Sequence, residues 1–310
     1  MKVVALRAFD SEPEVTEVEV PQPGAGEVRV RVHAASVNGF DLSVAKGMLQ
    51  GMMEHRFPVV LGKDFAGVVD EVGEGVEEYA VGDRVFGVVT KDFLGDGSFG
   101  EYVTVPTAVG IAKLPESIGF AEAAGLGLAG TAAVMAFDGA GVREGDTVLV
   151  VGATGGVGQQ ALQLAANAGA TVIATAHTDA ENEVVTSLGA AHTVDHTQDV
   201  AAQVRGIVPD GVDAVLHFAG SPEPLVAAAK PDGAFASTVL RGPDDVPSET
   251  LRVTSVYAHP APETLERVAG HQAEGHTSVT VQETFGLDDV DAAFARFAEG
   301  TLGKIVISIA

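Results

Sequence analysis

Residues Gly152 to Gly158, GATGGVG, set glycines where a chain must turn sharply and bring its backbone close to an anion. Ala153, Gly155 and Gly158 keep the spacing of a G-x-G-x-x-G dinucleotide turn, with alanine at the first position. Gly155 would let main chain approach a pyrophosphate, and Gly158 would let the next helix lie against the preceding strand. That strand, Val148 to Val151, is apolar without interruption, as a parallel strand covered on both faces should be. The helix is predicted over Val157 to Ala168, with Ala161, Leu164, Ala165 and Ala168 at helical spacing and Gly169 ending it. Its free N-terminal N–H groups and positive dipole end would hold the phosphate charge. Glycine clusters also mark turns that bind nothing; the order strand, glycines, helix, then a strand at Thr171 to Ala176 favours a nucleotide.

Other chemistries are removed by residue types the chain lacks. It has no cysteine, which excludes disulfides, thiolate catalysis and cysteine-ligated zinc. The pairs His192/His196 and His271/His276 bring no obvious third metal ligand, and no metal is expected. No serine-hydrolase elbow G-x-S-x-G occurs, and no tyrosine is followed four residues later by lysine. Asp and Glu total 43 against 18 Lys and Arg, a formal charge of −25, so nucleic acid and anionic membrane are not expected partners. The excess reads either as a solvated acidic shell or as adaptation to a salty interior. No apolar run reaches the roughly 18 residues of a membrane span, the N-terminus lacks a signal-like segment, and a cytoplasmic protein is expected.

The 310 residues suit two domains. Residues 1–117 are strand-rich: Glu27 to His33 alternates strictly, and runs at Leu61 to Gly73, Gly82 to Val89 and Phe99 to Val105 are divided by glycine and Gly-Asp turns. After Leu114-Pro115 the chain turns alanine-rich and helical. Over 118–257, strands at Val148, Val172, His192, Asp213, Ala234 and Arg252 to Tyr257 alternate with helices after Gly156, Asp179, Gln198 and Pro222. That alternation demands an α/β fold with a doubly wound parallel sheet and a ligand at the strands' carboxyl ends. Residues 258–310 hold helices at Pro262 to Gln272 and Leu287 to Ala298. An apolar strand from Lys304 to Ile309 should return to the first domain.

Several motifs recur in order: Val37-Asn38-Gly39-Phe40-Asp41, LGKDFAGVV, GDRV, GSFGEYV, LP before a helix carrying Gly130-Thr131-Ala132, GATGGVG, Leu188-Gly189-Ala190 and Gly303-Lys304-Ile305-Val306. Together they resemble, over essentially the whole chain, the zinc-independent quinone oxidoreductase branch of the medium-chain dehydrogenase/reductase superfamily. The resemblance implies a Rossmann nucleotide domain, a β-rich GroES-like barrel domain and a homodimer joined by sheet edges. Zinc alcohol dehydrogenases of the superfamily carry cysteine at the place of Asn38 and a His-Glu pair at Lys63-Asp64, so ligand chemistry argues against metal-polarised alcohol oxidation here.

By the same resemblance, Asn38 and Thr131 would lie near the nicotinamide and Thr154, Gly155, Gly156 and Val157 at the pyrophosphate. His196 would stand beside the adenine, with Phe218, Ala219, Gly220 and Leu240 along the nicotinamide half. Thr131 reads equally as a helix residue and His196 as an exposed loop residue. An acid ending the second strand would bind the NAD ribose, but Thr175, Ala176 and His177 stand there, which leaves room for a 2′-phosphate and makes NADPH the expected cofactor. With no Lys or Arg between Arg143 and Arg205, and Glu181 in that stretch, Thr175, Thr178 and a protonated His177 are left to hold the phosphate, unless a cation arrives from elsewhere. Asp41 is expected to pair with a cation such as Arg84 rather than to shuttle a proton, and Lys304, opening a terminal strand, to be solvated, the alternative being an approach to cofactor or substrate. Met48, Met52, Met53 and Phe57 are candidate pocket walls.

The expected reaction is metal-free hydride transfer to a small-molecule quinone. Ser43 and Leu49 stand where some relatives carry a proton-donating tyrosine, so no dedicated acid is evident. An alkenal or enone double-bond reductase, or a non-catalytic NADPH-binding redox sensor, would use the same fold.

Overall fold

In the computed structural model, which describes residues 1–309, the first 113 residues are built from short strands. Ala310, the last residue of the expected 258–310 segment, lies outside the described residues. In chain order the elements are β1 (Lys2–Leu6), β2 (Glu14–Glu17), β3 (Glu27–Ser36), α1 (Gly39–Ala45), β4 (Glu54–His55), β5 (Val59–Val60), β6 (Asp64–Val72), β7 (Arg84–Val88), β8 (Phe93–Leu94), β9 (Tyr102–Pro106) and β10 (Ile111–Lys113). The alternation in β3 does what period two requires: Val28, Val30 and Val32 are buried while Arg29 and Arg31 face the other way. From Ala34 to Ser36 both faces of β3 are covered, and the chain then turns into α1.

Two helices follow, α2 (Phe120–Ala124) and α3 (Gly127–Ala140). Then come β11 (Thr147–Val151), α4 (Gly156–Asn167), β12 (Thr171–Thr175), α5 (Asp179–Ser187), β13 (His192–Val194), α6 (Val200–Ile207), β14 (Val212–His217), β15 (Ala229–Ser237) and β16 (Arg252–Ser255). These strands form one six-stranded parallel sheet in the order β13-β12-β11-β14-β15-β16. Val148, Leu149 and Val150 of β11 are fully buried, each contributing about 1.5–3 kcal/mol relative to exposure. The helix expected after Pro222 is instead a short 3-10 turn, Glu223–Ala228, because β15 begins at Ala229 and leaves no room for an α-helical crossover.

The last elements are α7 (Pro262–Ala273), β17 (Val281–Gly286), α8 (Val290–Ala298) and β18 (Lys304–Ser308), with a 3-10 turn at Leu287–Asp289 where a continuous helix was expected. β18 pairs antiparallel with β3 and parallel with β17, giving the path β10-β7-β6-β3-β18-β17. The chain divides into a barrel unit, residues 1–128, 260–273 and 280–310, and a nucleotide unit, 129–259 and 274–279. Relative to the expected 117/118 boundary, residues 118–128 go with the barrel unit, where α2 packs on β3 and β6. Residues 274–279 go with the nucleotide unit, where Ser278 bonds Gln160 and Gln163 of α4.

Candidate functional site

In the nucleotide unit, β11 ends at Val151 and the chain reverses at Gly152, whose φ of +76° lies in the left-handed region that favours glycine. Gly155 N–H donates to the Gly152 carbonyl at 3.2 Å, and Gly155 caps α4 in an extended conformation. The helical ladder opens with Gln159 N–H donating to the Gly155 carbonyl at 2.9 Å. The N–H groups of Gly156, Val157 and Gly158 therefore precede the ladder and point along the positive end of a twelve-residue helix. A Cβ on Gly158 would lie inside 3.0 Å of the Gly152 oxygen and the Ala153 Cα, so glycine is what lets α4 approach the strand. Thr154, at the turn, gives its carbonyl to Gln159 Nε2 at 2.8 Å.

The sheet order brings a second loop to the same place. β11 is flanked by β12 on one side and β14 on the other, so the crossovers depart in opposite directions from this point and leave a crevice at the carboxyl ends. After β14, Phe218 N–H donates to the Val151 carbonyl at 3.0 Å, Ala219 approaches Gly152, and Gly220 turns with φ +81°. The turn from Gly152 to Val157 and the loop from Phe218 to Gly220 thus share one edge, while Leu240 is buried beyond β15. His217, just before this loop, is fully buried; its Nδ1 meets Ser237 Oγ at 2.9 Å, and burial holds its imidazole below the ordinary range.

Thr175 does a different job from the one expected. Its side chain is buried and its hydroxyl accepts the Gly152 N–H at 3.0 Å, so it ties the end of β12 to the glycine turn and is not exposed to a ribose phosphate. Thr178 caps α5 by accepting the Glu181 N–H at 3.2 Å. His177 and His196 are half-exposed, their rings 5.8 Å apart, and both are engaged by carboxylates: His177 Nδ1 with Asp195 at 3.1 Å, His196 Nε2 with Glu181 at 3.4 Å. Thr131, in α3, is fully buried, and its hydroxyl has no hydrogen-bond partner among the described residues. An orphaned buried hydroxyl and a crowded, glycine-only helix entry are what a bound dinucleotide would use, and the residues present fit it.

Asn38 belongs to the barrel unit and stands in a buried polar network that local sequence could not show. The β3–α1 junction places Ser36 and Asn38 beside Asp64, the fully buried first residue of β6. Asp64 Oδ2 accepts Ser36 Oγ at 2.7 Å and Asn38 Nδ2 at 2.9 Å, and its Oδ1 accepts the Leu128 N–H at 2.7 Å. Lys304 of β18 donates to Asn38 Oδ1 at 2.8 Å and lies 3.6 Å from Asp64 Oδ2. Lys304 is thus buried at 5 % exposure, where a solvated lysine was expected, because it is the countercharge of Asp64. Asp41 accepts the Asn38 N–H at 2.8 Å, and burial pushes its carboxyl up to about 7. It does not meet Arg84, which bonds Glu116 and the carbonyls of Pro115 and Ile118. Burial lowers the Lys63 ammonium, which donates to the Val89 carbonyl at 2.6 Å.

Of the expected pocket walls, Met53 packs against the barrel core, whereas Met48, Met52 and Phe57 are exposed. No three His, Cys, Asp or Glu side chains gather to hold a metal ion, and no helix is long and apolar enough to cross a membrane, among the described residues.

The comparisons agree with this arrangement. Residues 24–116 match the alcohol dehydrogenase GroES-like domain, and residues 156–256 match the family described as zinc-binding dehydrogenase. The chain is 31 % identical over 313 residues to the chloroplast envelope quinone oxidoreductase homolog of Arabidopsis thaliana, covering 95 % of this chain and 93 % of the relative. It is 38 % identical over 220 residues to phthioceranic/hydroxyphthioceranic acid synthase of Mycobacterium bovis, covering 70 % of this chain but only 10 % of that much longer protein. The structure of the quinone oxidoreductase from Coxiella burnetii superposes with a TM-score of 0.89 at 26 % identity, covering 100 % of this chain and 99 % of the other. With a parallel sheet of the kind that takes a nicotinamide cofactor and a GroES-like barrel in one chain, the protein is an oxidoreductase that belongs to the medium-chain dehydrogenase/reductase superfamily, in its quinone oxidoreductase branch.

Proposed function

We propose that the protein transfers hydride from a reduced nicotinamide to a quinone without a metal. The observation that carries this reading is the state of Asn38: both ends of its amide are engaged, Nδ2 by Asp64 and Oδ1 by Lys304. Where zinc relatives carry ligands, this chain has Asn38, Lys63 and Asp64: the amide and the carboxylate are taken up by each other and by Lys304, and the Lys63 ammonium donates to the Val89 carbonyl, a donor set unsuited to a divalent cation. Quinones are electron-poor enough to accept hydride without Lewis-acid polarisation, so position and exclusion of water are the protein's contribution.

A bound reduced nicotinamide supplies the hydride, and a proton from solvent completes the hydroquinone. Gly156 and Val157 present main-chain N–H groups to the pyrophosphate beside Thr154, and Gly155, whose own N–H closes the turn on Gly152, lets the main chain come close to it. Phe218, Ala219, Gly220 and Leu240 line the nicotinamide half, and Thr131 offers its orphaned hydroxyl at the nicotinamide end; Asn38 is the barrel unit's own candidate for a nicotinamide contact. His196 flanks the adenine. NADPH was the donor expected from the bare end of β12, but with Thr175 buried on Gly152 that expectation keeps only Thr178 and His177. The free edge of β16 supports a homodimer, and the cytoplasm is the proposed setting.

The test follows loss of reduced-nicotinamide absorbance with a panel of 1,4-quinones and of α,β-unsaturated ketones and aldehydes. Faster turnover with quinones is expected. Brisk enone reduction beside negligible quinone turnover would make the protein a double-bond reductase, and tight nucleotide binding with no acceptor reduced would make it a redox sensor.

A further inference from the structure

NADH and NADPH differ only at the adenosine ribose, where one has a 2′-hydroxyl and the other a phosphate. In a doubly wound sheet that position falls beside the carboxyl end of the second strand, here β12. Around it stand His177 and Thr178 before α5, Asp179 and Glu181 in the first turn of α5, and Asp195 and His196 after β13, the hydrogen-bonded neighbour of β12. Glu181 does not extend into solvent. Its Oε2 accepts the His177 N–H at 2.7 Å and lies 3.4 Å from His196 Nε2, so a helix-borne carboxylate is drawn back over the strand end. Asp195 is fixed beside it, accepting the Thr197 hydroxyl at 2.7 Å and N–H at 2.8 Å, bonds that hold its carboxyl below the ordinary range.

No Lys or Arg of the nucleotide unit offsets these carboxylates, whose ionisable partners are the imidazoles of His177 and His196. Arg143 precedes β11 and Arg205 donates to the carbonyls of Pro209, Ala227 and Ala229. Lys230 pairs with Asp213, and Arg252 donates to the Asp232 carbonyl; all four belong to the amino end of the sheet. Arg241 does lie at the carboxyl end, but it follows β15, three strands from β12, or about 14 Å at ordinary strand spacing. Of the hydroxyls a 2′-phosphate would use, that of Thr175 is buried on the Gly152 N–H, which leaves the Thr178 O–H, on an oxygen that accepts the Glu181 N–H, as a single neutral donor.

We infer that Glu181 selects NADH: its carboxylate, turned over the end of β12, accepts hydrogen bonds from the ribose hydroxyls and repels a 2′-phosphate. The inference rests on the nicotinamide reading and reverses the NADPH preference expected from the sequence. The acid that selects NAD is not absent; it has moved off the strand end and into the first turn of the helix, from which it reaches back.

The test measures binding, not turnover. Dissociation constants for NADH and NADPH are taken by nicotinamide fluorescence, and those for 5′-AMP and 2′,5′-ADP by calorimetry, at about pH 8, above the ordinary imidazole range. The wild type, Glu181→Gln and Glu181→Lys are compared, with far-UV circular dichroism checking their folds. NADH should bind at least about tenfold more tightly than NADPH in the wild type. Glu181→Gln should narrow that ratio by tightening NADPH, and Glu181→Lys should invert it, with the adenosine fragments following the same order. Equal or tighter NADPH binding by the wild type, or a ratio that neither variant moves, overturns the inference while leaving the nicotinamide reading standing. Failure of all four ligands to bind removes the nicotinamide reading and the inference with it.

Discussion

At the scale of single residues, the barrel network couples stability to pH through Asp41. Its carboxyl, ordinarily near 3.8, is pushed to about 7 mainly by burial. Between about pH 4 and 7 the folded chain therefore holds a proton that the unfolded chain has lost. The sign follows: the contribution is complete below the unfolded value, declines as pH rises, and is gone above the folded value. Asp41→Asn keeps an acceptor for the Asn38 N–H and removes the titration. Urea denaturation should find the wild type losing on the order of 3 kcal/mol more than the variant across that window, and parallel profiles would refute the assignment. Arg84 and Lys304 mark the limit of sequence reading at this scale. Their charges and neighbours in sequence are plain, but Lys304 meets Asn38 266 positions away, and no local spacing encodes that contact.

At the scale of elements, the glycine turn and its flanking strand and helix were legible because their causes are local: an uninterrupted apolar run, glycines at fixed intervals, and a small-residue helix face. The 3-10 turn at Glu223–Ala228 was not, since its brevity is imposed by where β15 must begin. The site was read unevenly for the same reason. The turn from Gly152 to Val157 and the loop from Phe218 to Gly220 are found side by side, whereas the task of Thr175 and the reach of Glu181 depend on χ angles that only packing fixes. Gly158→Ala would force its Cβ against the Gly152 oxygen, and should lower stability by roughly 1–3 kcal/mol and weaken nucleotide binding. Gly206→Ala, inside α6 with nothing within 4 Å of the added carbon, should instead raise stability by about 0.5–1 kcal/mol. Thermal and urea denaturation of the pair separates crowding at the turn from a general intolerance of alanine.

At the scale of the whole chain, the two architectures and the return of β18 to the barrel unit were readable, because an apolar strand with no room in one sheet must complete another. The charge of −25 acts at this scale too. Self-repulsion acts over the Debye length, which shrinks from about 10 Å in 0.1 M salt to about 3 Å in 1 M, so added sodium chloride should raise the melting temperature by on the order of 5 °C. A flat or falling melting temperature would mean that the acidic shell is not a destabilising load. The position of Lys304 has a consequence in time as well. A polypeptide is made from its amino end, so Asp64 and Asn38 leave the ribosome long before the ammonium that is countercharge to the one and hydrogen-bond donor to the other. Residues 129–259 are uninterrupted in sequence and can assemble while later codons are still being read. The barrel unit must wait with a carboxylate that has its hydrogen-bond donors but not its countercharge, so during synthesis the older part of the chain is the last to be finished.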